Sequence, residues 1–164
     1  MTATVATDGS CLGNPGPTGW AWVHQDGTWQ SGSLRHGTNN IGELMAIQQA
    51  LRAHMGVKGL RIESDSSHAI NCVTKWFKGW ERNGWRKSDG SAILNVEIIK
   101  DIVRLIREHP GVEFFWVKGH SSNILNSWAD NRALNASQSQ EGDQSGKIPA
   151  TKIRRQAPGY GANP

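Results

Sequence analysis

Four carboxylates stand where an acid can do chemistry. Asp8 closes a strand-like stretch, about 2–8, and is followed by Gly9, Gly13, Pro15 and Gly16. That turn composition lets backbone come close to a polar ligand. Asp65 closes a second such stretch, 58–64, in which Leu60 and Ile62 alternate with Arg61 and Glu63. Glu43 opens a helical pattern carried by Leu44, Ile47, Leu51 and Met55. Asp130 lies in a last helical segment, about 124–136, four residues after Asn126 and so on the same face. Acids leaving neighbouring strand ends, about 4.8 Å apart, can share a cation. All-oxygen ligation suits Mg²⁺ or Mn²⁺, not zinc. Each acid also has a plainer use: a turn aspartate at Asp8, a capping box for Glu43 three residues after Asn40, a helix N-cap at Asp65.

The elements that must position these acids read in the order β-β-β-α-β-α-α-α-β-α. Strands at 2–8, 19–24 and 28–36 form an antiparallel meander, with Gln25-Asp26-Gly27 as a hairpin turn. Thr38-Asn39-Asn40 stops the sheet and starts a helix that Gly56 ends. Strand 58–64 follows a helix, so it joins the first strand in parallel. Then come a short helix through Val73, an amphipathic helix at about 93–109 and a β-rich stretch at 112–117. The loop Lys118-Gly119-His120 leads into the last helix, in which Trp128 packs inward. The fold class is α/β, a five-stranded mixed sheet of three antiparallel and further parallel strands flanked by helices.

Charge and aromatics point to a polyanion. The 164 residues carry a formal charge of +4 and eight tryptophans against three phenylalanines and one tyrosine. Between 75 and 87, Lys75, Lys78, Arg82, Arg86 and Lys87 face Glu81 alone, interleaved with Trp76, Trp80 and Trp85. Trp76 and Trp80 share a helix face. One or two of these rings can pack a small helix onto the body, but so many bases favour an exposed nucleic-acid contact. After Ser137 the composition turns to Ser, Gln, Gly, Pro and Lys/Arg, which is expected to give a flexible basic tail, 137–164, behind a domain at 1–136. With no signal peptide or apolar run of spanning length, Cys11 and Cys72 are expected as reduced thiols of a cytoplasmic protein that makes no membrane contact.

Thr7-Asp8-Gly9-Ser10, Asn39-Asn40 with Glu43-Leu44, Ser64-Asp65-Ser66, Trp116-Val117-Lys118-Gly119-His120 and Asn126 with Asp130 together resemble the motifs of type 1 ribonuclease H, in family order and spacing. The resemblance covers roughly 1–136, including a basic, tryptophan-bearing insertion like the bacterial handle. It implies a ribonuclease H-like fold and endonucleolytic hydrolysis of the RNA strand of RNA–DNA hybrids, giving 3′-hydroxyl and 5′-phosphate ends. Asp8, Glu43, Asp65 and Asp130 match the metal-binding acids, for two Mg²⁺ ions with Mn²⁺ as a substitute. His120 matches a mobile-loop histidine that assists proton transfer or product departure. Asn14, Asn39 and Asn40 match contacts to the hybrid's sugars, with Asn126 a further candidate contact beside Asp130. Thr38 and Asn95 resemble a DNA-phosphate pocket, Trp76 lies where an aromatic ring meets the DNA strand, and Trp80 stands beside it. Lys78, Arg82, Arg86 and Lys87 supply the handle's charge. His36 and Ser67 depart from the arginine and glutamine frequent in relatives. The protein is expected to act as a monomer.

Two other classes use parts of this pattern: a junction resolvase or integrase core of the same superfamily, and a non-catalytic hybrid binder. The Gly-His loop ahead of Asp130 and the handle disfavour the first. A binder gains nothing from four repelling carboxylates at its nucleic-acid surface, which disfavours the second.

Overall fold

A computed structural model describes residues 3–119 and 123–158. The meander forms as its turn chemistry dictates: β1 (Ala3–Cys11), β2 (Gly16–His24) and β3 (Thr28–Gly37) pair antiparallel. At the β2–β3 hairpin Gly27 takes a φ of +98°, and Asp26 Oδ1 accepts from the Thr28 amide at 2.8 Å. β4 (Leu60–Ser64) joins β1 in parallel, with Thr7 opposite Ser64, and β5 (Glu113–Trp116) adds in parallel to β4. The strand order is β5-β4-β1-β2-β3-β6, so β1 and β4, the two strands that deliver aspartates, are neighbours near the middle.

Strand alternation sends successive side chains to opposite faces, and each face is covered by helices. Val5, Trp20, Trp22, Leu60 and Ile62 face α1 (Asn39–Ala53) and α4 (Val96–Arg107), which contribute Leu44, Ile47, Leu51, Ile99 and Ile102. Ala6, Val23 and Trp29 face α5 (Ile124–Ser139), which contributes Trp128 and Ala129. Between α1 and α4 the chain runs through α2 (Ser67–Asn71), a π-helical turn at Cys72–Trp76 and α3 (Phe77–Arg82). None of the helices among the described residues is long and apolar enough to cross a membrane.

The segment expected to be a flexible tail is a correction, and it makes the sheet six-stranded. α5 continues to Ser139, β6 (Gln144–Lys147) pairs antiparallel with β3, and α6 (Ala150–Ile153) follows. Only Ile148 and Ile153 are apolar enough to matter, too few for any period, yet both are buried beside Trp29 and Trp128. The Trp128 indole N–H donates to the Gln156 carbonyl at 2.9 Å. Residues 159–164 lie outside the described residues. Ile148 is fully buried, so Ile148→Ala should cost about 2–5 kcal/mol by the lost transfer and the cavity left behind. Denaturant unfolding measures it; a loss under about 0.5 kcal/mol would return the segment to a loosely held tail.

His54 gives the fold a pH dependence. It is 7% exposed, edge-on to Trp22, with Nδ1 bonded to the Ala50 carbonyl at 2.7 Å. Burial, reinforced by the nearby His24 and His109, pulls its pKa below the ordinary 6.5. The unfolded chain therefore binds this proton more readily than the native one, so stability is intact above about pH 6.5 and falls as pH drops through the native value. Melting temperature should decline between pH 6.5 and 5, with a shallower decline in His54→Gln. Equal slopes would remove His54 as the cause.

Candidate active site

The parallel β1–β4 register puts Asp8 and Asp65 side by side, each one residue past the last paired position, Thr7 opposite Ser64. Glu43 arrives from α1 because the helix lies directly on the strand. A Cβ at Gly9 would stand 2.4 Å from the Glu43 amide nitrogen and 2.5 Å from the Gly42 carbonyl carbon. Glycine there lets strand and helix backbones touch, which presents the Glu43 carboxylate to Asp8. α5 uses the same device against β2: a Cβ at Gly19 would lie 2.3 Å from the Ala133 carbonyl oxygen. That approach lays the helix carrying Asp130 on the sheet.

Asp8, Glu43 and Asp65 each offer a carboxylate oxygen, and these oxygens lie within 4.8 Å of one another. Asp8 and Glu43 are buried and Asp65 is half-buried. Asp130 stands outside that tight group, but its charge is felt by both buried acids. Burial is the main force pushing the Asp8 pKa well above the usual carboxylate range, followed by the neighbouring Glu43 and then by Asp65 and Asp130. Burial likewise lifts Glu43 to about 8, against the hydrogen bond it shares with Asp8. Two acids this close and dry are costly to ionise together unless a cation offsets their charge. The Glu43 Oε2 is buried with no hydrogen-bond partner, and Asp8 Oδ1 accepts from the Gly9 amide at 3.0 Å. An orphaned anionic oxygen in an all-carboxylate set fits a hard divalent cation.

The plainer uses of two acids fall away. Thr38, not Asn40, caps α1, its Oγ1 accepting from the Ile41 amide at 3.2 Å, so Glu43 serves no capping box. Ser66, not Asp65, caps α2, its side chain accepting from the Ala69 amide at 3.1 Å.

Other candidate residues are distributed around these acids. Asn14 Oδ1 accepts from the Asn39 amide at 3.1 Å, which ties the β1–β2 turn to the first turn of α1, where Asn40 follows. Asn95 precedes α4 in a left-handed conformation, φ 60°, and with Ile41 and Lys87 lines a cavity of about 660 Å³ where the starts of α1 and α4 meet. Asn126 is buried at 3% exposure with its Nδ2 unpartnered, so it is not presented at the surface. His120 falls outside the described residues. Its neighbour Gly119 comes so close to Asp65 that a Cβ there would lie 2.6 Å from Oδ2.

In the basic insertion, Trp76 is exposed while Trp80 and Trp85 pack partly against the core. Lys75, Trp76, Trp80, Arg86 and Lys87 line an open groove of about 700 Å³, whereas Lys78 and Arg82 are exposed but do not line it. Arg107 holds this insertion to α4 through two hydrogen bonds to Glu81, at 2.8 and 2.7 Å. Sequence reasoning missed Trp116 as a site neighbour: it is exposed, and its indole N–H donates to the Asp65 carbonyl at 3.1 Å. An aromatic at the end of an edge strand, four residues before His120, was the available signal.

A mixed sheet that sets Asp8, inside β1, beside Asp65, just past the end of β4, with helix-borne acids against them, has the ribonuclease H-like architecture. The family model "RNase H" matches residues 1–138. The chain is 45% identical over 132 residues to ribonuclease H of Tropheryma whipplei (strain Twist), covering 80% of this chain and 81% of that one. It is 39% identical over 146 residues to ribonuclease HI of Streptomyces coelicolor, covering 85% of this chain and 63% of that one. The crystal structure of LC9-RNase H1, a type 1 RNase H with the type 2 active-site motif, superposes with a TM-score of 0.73 at 27% identity, covering 86% of this chain and 74% of that one. The chain belongs to the ribonuclease H family, as a bacterial-type type 1 enzyme. Divalent-metal dependence comes with that family and agrees with the acid cluster.

Proposed function

We propose that this enzyme cuts the RNA strand of RNA–DNA hybrids internally, leaving 3′-hydroxyl and 5′-phosphate ends, with two Mg²⁺ ions held by Asp8, Glu43, Asp65 and Asp130. Mn²⁺ is the expected substitute. The observation that carries it is the gathering of three carboxylate oxygens within 4.8 Å, two of them on acids whose pKa burial holds up. When bound, the cations supply charge at the scissile phosphate and acidify an attacking water.

The chain's own residues do the rest. Asp8 and Glu43 would hold the cations as ionised carboxylates, whose mutual repulsion the cation charge offsets. Asn14, Asn39 and Asn40, joined through the turn–helix contact, bind the sugars, where the 2′-hydroxyl distinguishes RNA from DNA. Thr38 and Asn95 take a phosphate of the DNA strand, and Trp76 stacks along it with Trp80 behind. Arg86 and Lys87 add charge along the same groove, and Lys78 and Arg82 add it on the exposed surface of the insertion. Asn126, being buried, positions α5 near Asp130 in preference to touching the hybrid. The enzyme works as a monomer in the cytoplasm.

The test offers end-labelled RNA–DNA hybrid, RNA duplex, DNA duplex and a four-way junction in parallel with Mg²⁺. Only the hybrid should be cut, in its RNA strand, and replacing every ribose of that strand by 2′-deoxyribose should end cutting. Equal cleavage of DNA duplex or junction overturns the assignment.

His120 moves a proton at the departing 3′-oxygen, since an unperturbed imidazole titrates near neutral pH. Charge stabilisation lies elsewhere, so His120→Ala should lower kcat by about ten- to a thousandfold, below or within the range for general acid–base groups, with KM little changed. Unchanged kcat from pH 6 to 9 would make it an ordinary loop residue.

A further inference from the structure

We propose that the protein has a second, separate site for a small phosphate-type oxyanion, in the cavity between α5 and the β3–β6 edge, built on Arg132. The cavity measures about 470 Å³, within the usual size of small-molecule sites.

Arg132 is 4% exposed, yet its Nε and Nη1 are buried without a hydrogen-bond partner. A guanidinium carries five N–H donors and no acceptor. Its recorded contact is the face of Trp29, 4.1 Å from ring centroid to guanidinium carbon, which leaves the in-plane donors unused. Burial pulls its pKa below the ordinary value, with no anion offsetting the shift. An unpaired buried cation is costly, and an anion in the adjoining cavity relieves that cost.

The walls fit such an anion. Lys147, at the end of β6, and Ser139, at the end of α5, line the same cavity. Glu141 is the single acid there; it accepts a hydrogen bond from the Gln144 amide and makes no ion pair with Arg132. On the cavity wall two cations stand against one engaged carboxylate, although Lys147 also acts on Asp26 outside it. A tetrahedral oxyanion can accept from several converging donors at once, and phosphate answers this mixture better than a planar carboxylate.

The site is distinct from the acid cluster. Arg132 and Asp130 are two residues apart on α5, about 200° around the helix. The cavity lies at β3 and β6, whereas the acids leave β1 and β4. Four carboxylates repel a free anion, so without metal they do not compete for it.

The test uses the full chain in chelator, with the Arg132 Nε–H and Trp29 indole N–H followed by ¹⁵N-resolved NMR at constant ionic strength. Inorganic phosphate and pyrophosphate are titrated, with acetate as the carboxylate arm. Both signals should shift saturably with one Kd for the phosphates and not for acetate. Lys147→Ala, an exposed substitution, should raise that Kd about tenfold, as expected for one charge-assisted contact, and leave hybrid cleavage unchanged. Glu141→Gln should lower it. The inference is overturned if phosphate leaves the Arg132 signal unmoved, if acetate shifts it as strongly, or if Lys147→Ala leaves Kd unchanged.

Discussion

Asp65→Asn should reduce hybrid cleavage by more than about a thousandfold, at or beyond what loss of one preorganised electrostatic group costs. The substitution keeps shape and removes one charge from the oxygens gathered within 4.8 Å. Fold and hybrid binding should survive, because Asp65 caps no helix and its backbone carbonyl, which holds Trp116, is untouched. A second effect has the opposite sign. Asp65 is among the charges that push the Asp8 and Glu43 pKa values up, so removing it should raise the melting temperature of the protein in chelator. Cleavage within a few-fold of the parent would take Asp65 out of the site. A lower melting temperature in chelator would mean that the acids do not strain one another.

Gly9→Ala should damage both stability and activity. Its new Cβ would meet backbone of α1 at 2.4 and 2.5 Å, atoms that no rotamer change can move aside. Strand and helix must separate, at the roughly 1–3 kcal/mol or more typical of overpacking. The displaced Glu43 should lower turnover by about a hundredfold, since an ångström of misplacement costs that much. Gly79→Ala is the control: the nearest atom to its Cβ is the Arg82 Nη2 at 3.9 Å, so its stability should hold or rise. Unfolding and steady-state kinetics on both variants test this. A Gly9→Ala protein with parental stability and kcat would refute the packing argument.

Asp65 and Glu43 were legible from short local patterns, a strand that stops before an aspartate and a helix that starts near a glutamate. Asp8 was expected to close its strand, but β1 runs on to Cys11 and only its parallel pairing to β4 ends there. Parallel pairing of β1 with β4 followed from the intervening helix, and it is what makes two distant aspartates neighbours. The sixth strand was not legible. β6 reads Gln144-Ser-Gly-Lys147, with no alternation of its own, and exists because β3 offers an edge and Ile148 a buried place beside Trp29. Composition reports what a segment can bury alone, not what a neighbour lends it. The same limit hid the contact of Arg132 with Trp29, residues far apart in sequence that meet only once α5 lies across the sheet. Gly9 read as a turn glycine, although its cramped neighbour is the α1 backbone. The capping box failed for a local reason: Thr38 lies closer to the true helix start than Asn40 and outcompetes it.

The most direct measurement follows cleavage of the RNA strand of a labelled hybrid by metal-stripped protein, first in chelator and then with Mg²⁺ restored. The parent should cut nothing in chelator and recover fully with Mg²⁺, whereas Asp65→Asn should not recover. Undiminished cleavage in chelator would contradict this expectation, because the buried acids would then be doing their chemistry without the cation they are arranged to hold.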